Sequence, residues 1–240
     1  YNYSGNVYNL PNTHIFNVDG RQLVKHQKDS SVDLIILNGV DTFSGLSSGA
    51  YAYADSYLYT KEAIKDYLRV LNDNGVVNFN RWFFANVPRE DLRLFGLALY
   101  ALRDMNIQNP ENHIIIGADH LWAMIFVNNS PYTAAERNTI KEYFKGHNTT
   151  LIFPLEDPEA QKESMFHIYA HAFNKHLEKE VENAYPFDIS VVTDDAPFFY
   201  KYYKLNFFNP FKVSRLHHTG EVVFMTQALV FLQAVIFILL

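Results

Sequence analysis

The chain of 240 residues contains no cysteine and has no excess of basic residues. Without cysteine it forms no disulfide bonds and has no thiolate metal site, which is compatible with a reducing compartment. The formal net charge of −6 argues against nucleic acid as the main partner, because phosphate binding requires a basic surface. The hydrophobic content of 48% is enough to bury a full core, in one large domain or two small ones.

Charge is also absent from the C-terminal residues 222–240. Their length matches the hydrocarbon core of a bilayer, and we predict a transmembrane helix that is truncated where the sequence stops. A buried helix of a globular domain is the alternative, because polar side chains interrupt the apolar sequence. A basic juxtamembrane linker, residues 206–221, precedes the segment and contains Lys212 and Arg215. The positive-inside tendency therefore predicts a membrane protein whose soluble domain faces the cytoplasm.

The rest of the chain is organised around residues 32–41, V-D-L-I-I-L-N-G-V-D. Four consecutive aliphatic residues without polar alternation predict a short strand that is buried on both faces, as in the middle of a parallel sheet. Ligands of parallel α/β sheets bind just beyond the carboxyl ends of the strands. Here that end of the strand carries Asn38, Gly39 and Asp41. The Gly/Ser-rich residues that follow are typical either of a functional lid or of a disordered connector.

Helices and strands are predicted to alternate along the chain, which indicates an α/β fold with a parallel sheet. Thr60 is a plausible N-cap for one of these helices. Besides the central strand, the patterns predict strands at residues 14–18, 76–79, 113–116, 122–127 and 151–153, and helices at residues 21–27, 59–71, 88–105, 133–144 and 157–183.

Several motifs in order resemble the second half of a spermidine-synthase-like domain. They are N-V-D-G-R (17–21), V-D-L-I-I-L-N-G-V-D (32–41), L-Y-T-K-E (58–62), L-R-V-L-N-D-N-G-V-V (68–77) and T-D-D-A-P-F-F-Y (193–200). The resemblance implies a Rossmann-like, S-adenosylmethionine-dependent methyltransferase fold over residues 1–205, within a multi-pass membrane protein. It also implies that the Gly-rich cofactor-binding turn lies before residue 1, because the chain contains no G-x-G-x-x-G motif.

The resemblance assigns candidate roles to residues at the expected cofactor and acceptor sites. The catalytic candidates are Asp41 and Asn38, the cofactor-binding candidates are Asp19, Gly20 and Asn38, and the substrate-binding candidates are Asp41, Tyr59 and Asn80. Three of these residues have simpler alternatives. Asp19 is also typical of a turn, Asp41 of an Asx-turn or a solvated loop, and Asn80 of a strand-end cap.

Asn38 departs from the family pattern. Polyamine-forming members have an aspartate at this strand end, which takes a proton from the attacking amine. An amide has no titratable group near neutral pH and cannot act as that base. Asp41 matches the second acidic position of the family and is retained. Standard aminopropyl transfer is therefore in doubt, whereas methyl transfer or altered polyamine chemistry remains open.

Other polar residues have mainly structural interpretations. His167 and His171 have the helical spacing of metal ligands, but no nearby glutamate completes a zinc-peptidase pattern, so no metal cofactor is predicted. Asp194 and Asp195 are expected to stabilise the turn before Pro197.

Two classes of function follow from the resemblance. The first is a membrane-tethered transferase that uses S-adenosylmethionine or decarboxylated S-adenosylmethionine, with a small amine such as a polyamine, or another small molecule, as acceptor. The second is a non-catalytic module that keeps the fold and binds a nucleoside or a partner. The expected partners are the small-molecule acceptor and the lipid bilayer, with no nucleic acid, and a homodimer is left open.

Overall fold

The computed structural model describes residues 5–40, 55–202, 204, 233 and 237, which form a mixed α/β fold around a five-stranded sheet. The strands are β1 (Val32–Asn38), β2 (Leu71–Trp82), β3 (Ile114–Ala118), β4 (Trp122–Asn128) and β5 (Thr150–Phe153). The helices are α1 (Gly20–Lys25), α2 (Lys61–Val70), α3 (Glu90–Asp104), α4 (Ala134–Gly146), α5 (Pro158–Glu163), α6 (Met165–Asn174) and α7 (Glu178–Ala184). Short 3₁₀ turns occur at Val7–Asn9 and Pro110–His113.

The sheet has the order β1-β2-β4-β3-β5 and is mixed rather than parallel. Only β1 and β2 pair in parallel, whereas β2–β4, β4–β3 and β3–β5 are antiparallel. The prediction of a parallel sheet was therefore right for the first pair and wrong for the other three. The physical reason is clearest at residues 119–121, which join β3 to β4. A link this short allows a hairpin but not the crossover that parallel neighbours require.

Strand β1 lies at the end of this order, and in the described part of the chain it pairs with β2 alone. Leu37 is buried, but Leu34 is 53% exposed and Ile36 is 58% exposed. The prediction that this strand is buried on both faces was therefore wrong for the described structure. A continuous apolar run suits burial on both faces, yet the described helices cover only the face that carries Leu37.

Helices α2 and α3 cover that face and form the main core with it. The buried side chains of α2 and α3 meet inward-facing residues of the strands, including Leu37, Val77, Phe79, Ile116 and Ile125. Helix α2 begins where its sequence predicts, because the hydroxyl of Thr60 accepts a hydrogen bond from the amide of Ala63 at 3.1 Å. This cap fixes the start of α2 directly after Tyr59.

Helix α4 covers the opposite face of the sheet over β3, β4 and β5. Thr133 and Glu136 form a capping box at its start. Near its end, Phe144 packs with Ile115 in a second, smaller core. The ring also occupies the space beside Gly117, where an added Cβ would overlap it. Glycine is therefore required here by close packing of the helix on the strand.

Two predicted elements differ from the structure. Residues 14–18 form no strand, and residues 157–183 form three helices instead of one. Ser164 has an extended backbone between α5 and α6, and His176 has a left-handed φ of 59° between α6 and α7. Both conformations interrupt the ladder of helical hydrogen bonds, although the side chains on either side remain good helix formers.

In the part of the chain that the structure describes, no helix has the length and apolar character needed to cross a membrane. The segment 222–240 lies outside the described residues, apart from positions 233 and 237. The transmembrane helix therefore stays a prediction.

Candidate functional site

The carboxyl ends of the parallel strands β1 and β2 bring two predicted residues together. Asn38 is the last residue of β1, and Asn80 is its register partner on β2. The Nδ2 of Asn80 donates to the Oδ1 of Asn38 at 3.1 Å. The amide of Gly39 continues the pairing by donating to the carbonyl of Asn80 at 3.2 Å. The carboxyl ends of β1 and β2 therefore form the sheet edge that the sequence predicts, and two side-chain amides meet there.

Gly39 turns the chain at this edge and lies against an aromatic pair. Its φ of 58° is in the left-handed region, which glycine adopts without the steric penalty of a side chain. An added Cβ would approach the ring of Trp122 to 3.4 Å. Trp122 stacks on Trp82 with ring centroids 4.7 Å apart. The chain thus leaves β1 over an aromatic surface formed by the ends of β2 and β4.

Asn80 also has an acceptor that the described protein does not use. Its Oδ1 is buried and has no hydrogen-bond partner among the described residues. A buried acceptor without a donor is costly, and such atoms are often found where a ligand or water binds. An ammonium or amine N–H has the chemistry to pair with it.

Tyr59 is fully buried between β1, β2 and the C-terminal residues of the described domain. Its hydroxyl donates to the carbonyl of Val40 at 2.7 Å, and its ring contacts Phe199 with centroids 4.8 Å apart. Tyr59, the predicted substrate-binding residue, therefore lies beside the end of β1. Its hydroxyl, however, already donates a hydrogen bond to a backbone carbonyl.

Arg81 is the functional candidate that the sequence patterns missed. It follows Asn80 on β2, is 1% exposed and forms an ion pair with Glu90. The Nε of Arg81 donates to the Oε2 of Glu90 at 2.8 Å, and the guanidinium lies 5.2 Å from the centre of the Tyr59 ring. The available signal was an arginine between the predicted strand 76–79 and the aromatic residues 82–84, because a charge buried among such residues requires a counter-charge.

Asp19 and Gly20 lie at the start of α1, where the resemblance places the contact with adenine. The carboxylate of Asp19 accepts a hydrogen bond from the amide of Gln22 at 3.0 Å, which makes it the N-cap of the helix. A Cβ on Gly20 would lie 3.6 Å from Leu58. Helix α1 therefore packs against the same segment that carries Tyr59.

Next to them, Arg21 ties three separate parts of the chain together. It is buried, donates to Asp66 at 2.8 Å and to the carbonyl of Tyr57 at 2.8 Å, and lies 3.3 Å from Asp194. Asp194 also accepts from the hydroxyl of Thr60 at 2.6 Å. Asp194 thus has a structural role in the described protein, but its carboxylate binds Arg21 and Thr60, whereas the sequence predicted that it stabilises the turn before Pro197.

The start of α3 carries a buried carboxyl group of a different kind. Asp91 is fully buried, and neither of its oxygens has a hydrogen-bond partner in the described residues. Burial raises the pKa of Asp91 well above its ordinary value, and the charge of Glu90 raises it further. Arg81 and Arg89 oppose this shift without cancelling it. Asp91 is therefore a carboxyl group with a raised pKa beside the buried ion pair of Arg81 and Glu90.

Two residues further along α3, Arg93 fixes the C-terminal residues of the described domain. It is 1% exposed and donates to the carbonyls of Asp188, Phe199 and Lys201. Burial lowers the pKa of Arg93. Burial alone would raise the pKa of Asp188, but hydrogen bonds from Ser190 and the charge of Arg93 outweigh it and lower that pKa. Because Phe199 precedes Tyr200, these bonds also hold the aromatic residues near the candidate site.

The described residues contain no group of three or more histidine or acidic side chains arranged to hold a metal ion. The Nε2 of His167 accepts from the amide of Leu155 at 3.0 Å, and its Nδ1 lies 3.1 Å from the hydroxyl of Ser164. Both ring nitrogens therefore have protein partners. Asp41, the main catalytic candidate, lies outside the described residues and follows Val40 in the chain.

No protein-family model and no curated protein matches the chain. Among solved structures, a probable spermidine synthase from Corynebacterium glutamicum ATCC 13032 is 18% identical with a TM-score of 0.40, over 65% of this chain and 53% of that chain. The spermidine synthase from Thermotoga maritima is 15% identical with a TM-score of 0.37, over 73% of this chain and 52% of that one. A spermidine synthase in complex with the transition-state analogue AdoDATO is 16% identical with a TM-score of 0.35, over 73% and 51% of the two chains. The chain spans about half the length of these structures.

Proposed function

We propose that this chain contributes the acceptor side of a transferase site of the spermidine synthase or methyltransferase type. The donor is S-adenosylmethionine or its decarboxylated form, and the acceptor is a small amine, such as a polyamine, or another small nucleophile. The observation that supports this proposal best is the meeting of Asn38 and Asn80 at the carboxyl ends of two parallel strands, directly before Asp41 in the chain.

Such a transfer forms one covalent bond and breaks another. The acceptor nitrogen attacks the carbon attached to the sulfonium sulfur, so that a C–N bond forms and a C–S bond breaks. The electron pair of the broken bond stays on sulfur, which becomes a neutral thioether, and the nitrogen loses one proton to a base. The protein contributes mainly by holding donor and acceptor in line.

In this proposal Asp41 is the base, because neither Asn38 nor Asn80 can accept a proton. The unused Oδ1 of Asn80 binds an N–H of the acceptor, and Asn38 contacts the transferred group of the donor. Asp19 and Gly20 contact the nucleoside from the start of α1. The fold assignment is the second part of a Rossmann-like domain over residues 1–205.

Membrane tethering is part of the same proposal. Residues 206–221 form the basic juxtamembrane linker, and residues 222–240 form a transmembrane helix that keeps the domain at the cytoplasmic surface. The support comes from the absence of charge in 222–240 and from the basic residues that precede it.

A non-catalytic nucleoside-binding or interaction module is the second candidate. The hydrogen bond between Asn38 and Asn80 favours it, because two amides occupy the site where a proton acceptor is expected. The two candidates differ in one measurable property, which is turnover.

The test compares Asp41→Asn and Asn38→Asp with the wild-type full-length protein. Turnover is measured with putrescine-like amines and with methyl acceptors, and nucleoside affinity is measured by calorimetry. We expect Asp41→Asn to lower turnover by about a hundredfold or more, the usual scale for a general base, with little change in nucleoside affinity. Asn38→Asp should raise aminopropyl transfer above background.

Asp33→Asn is the matched control, because Asp33 is an exposed carboxylate on the same strand, at its opposite end. It should leave turnover unchanged. Equal activity of Asp41→Asn and wild type on every working acceptor would exclude Asp41 as the base. If no acceptor works even with Asn38→Asp while the nucleoside still binds, the non-catalytic module is the better description.

A further inference from the structure

Two tyrosine hydroxyls converge on one backbone carbonyl at the point where the chain leaves β1. Tyr59 donates to the carbonyl of Val40 at 2.7 Å, and Tyr200 donates to the same oxygen at 3.4 Å. Tyr59 lies 19 positions from Val40 and Tyr200 lies 160 positions away. Both residues are almost completely buried. A carbonyl has two lone pairs, so both hydroxyls can bind it together.

Arg81 supports both tyrosines from the neighbouring strand. Its guanidinium lies 5.2 Å from the centre of the Tyr59 ring and 5.3 Å from that of Tyr200. Its Nη1 donates to the hydroxyl oxygen of Tyr59 at 3.4 Å. Glu90 holds the other side of the guanidinium through the buried ion pair. The planar group is therefore fixed by a carboxylate on one side and by aromatic faces on the other.

The direction of the hydrogen bonds follows from the chemistry of the donors. Arginine can only donate, so the oxygen of Tyr59 accepts from Arg81, and the hydroxyl donates its own proton to the carbonyl of Val40. Successive bonds of this kind polarise one another in a buried site. The result is a continuous series of hydrogen bonds that runs from Glu90 through Arg81 and Tyr59 to the Val40 carbonyl.

We propose that Arg81, acting through Tyr59 and Tyr200, is a positioning residue that fixes the backbone at Val40, the residue that directly precedes the proposed base Asp41 in the chain. The catalytic consequence rests on the proposed transferase function, whereas the fixing of Val40 does not. Loss of these hydrogen bonds releases the backbone next to the proposed base, and small displacements of catalytic groups lower the rate strongly.

The first test measures hydrogen–deuterium exchange in the full-length protein, in peptides that cover residues 38–44. Tyr59→Phe removes the hydroxyl and keeps the ring. Exchange in these peptides should accelerate about fivefold, the factor that corresponds to one lost hydrogen bond. Tyr185→Phe is the matched control, because Tyr185 is also buried and donates to a backbone carbonyl, that of Pro88, at 2.6 Å. It should leave exchange in 38–44 unchanged.

The second test measures turnover. Tyr59→Phe should lower kcat on the order of tenfold, with the KM for the donor within about twofold of wild type, because the donor contacts are not touched. Arg81→Lys keeps the charge beside Glu90 but loses the planar fork, and it should reproduce both effects. In an Asp41→Asn background, Tyr59→Phe should cause no further loss of kcat, since its effect passes through Asp41.

The outcomes separate this inference from the transferase proposal. Unchanged exchange in 38–44 for Tyr59→Phe, or an equal increase for Tyr185→Phe, would overturn the positioning role. Accelerated exchange in a protein that turns over no acceptor would keep the fixing of Val40 and refute the transferase function. A loss of kcat that persists in the Asp41→Asn background would show that Tyr59 does not act through Asp41.

Discussion

Asp91 provides the sharpest prediction about stability, because it is a buried carboxyl group without a hydrogen-bond partner in the described structure. The charged groups around it are Glu90, which raises its pKa, and Arg81 and Arg89, which lower it. Burial is the largest influence, so the folded-state pKa lies well above that of an exposed aspartate. Tyr185 also lies close to Asp91: burial raises the pKa of Tyr185, and the charge of an ionised Asp91 raises it further.

The direction of the pH effect follows from this difference. A carboxyl group whose pKa is higher in the folded than in the unfolded state binds more protons when folded. Its contribution to stability is complete below the unfolded value, about pH 4, and is lost as the pH rises toward the folded value. Within that interval the free energy of unfolding falls by about 1.4 kcal/mol per pH unit because of this one group.

Asp91→Asn removes this contribution, because an amide of nearly the same shape stays neutral at every pH. Urea denaturation of the full-length protein between about pH 5 and pH 7 should show a slope that differs from wild type by about 1.4 kcal/mol per pH unit, up to the folded pKa. The variant should gain stability relative to wild type as the pH rises. Parallel curves for Asp91→Asn and wild type would refute the reasoning.

Two further predictions concern the nucleoside and the membrane. Asp19→Ala should weaken binding of S-adenosyl compounds roughly tenfold to a hundredfold and cost about 1 kcal/mol of stability through the lost cap. Asp19→Ser is the control, because serine keeps an oxygen that caps the helix on a side chain shorter than that of aspartate. If calorimetry shows full affinity for S-adenosyl compounds in Asp19→Ser, Asp19 only caps the helix and does not bind the nucleoside. Residues 206–240, expressed as a fusion, should remain with membranes after a carbonate wash, and recovery in the soluble fraction would contradict the predicted transmembrane helix.

Local features of the fold were predictable because they depend on residues close in sequence. The cap at Thr60 and the capping box at Thr133 rely on side chains that bond to amides three positions away. The meeting of Asn38 and Asn80 was also predictable, since strands that lie next to each other in parallel end at the same edge. In these cases the local sequence determined where the helices begin and which residues lie at the ends of the two strands.

The antiparallel part of the sheet and the exposed face of β1 depended on the tertiary structure. The same apolar run, L-I-I-L, suits a central strand or an edge strand, and only the arrangement of neighbours decides which side chains are covered. Likewise, the residues of 157–183 favour helix throughout, but packing requires breaks at Ser164 and His176.

The supporting residues of the candidate site were decided by tertiary structure for the same reason. The resemblance assigns Tyr59 to substrate binding, but no local pattern indicates that its hydroxyl binds Val40, or that Tyr200 joins it from 160 positions away. No local pattern indicates a role for Arg81 or Asp91 either, since the cost of burying a charge depends on whether the fold provides a partner. Arg81 has Glu90 and the aromatic rings as partners, whereas Asp91 has no hydrogen-bond partner in the described structure, and its burial raises its pKa.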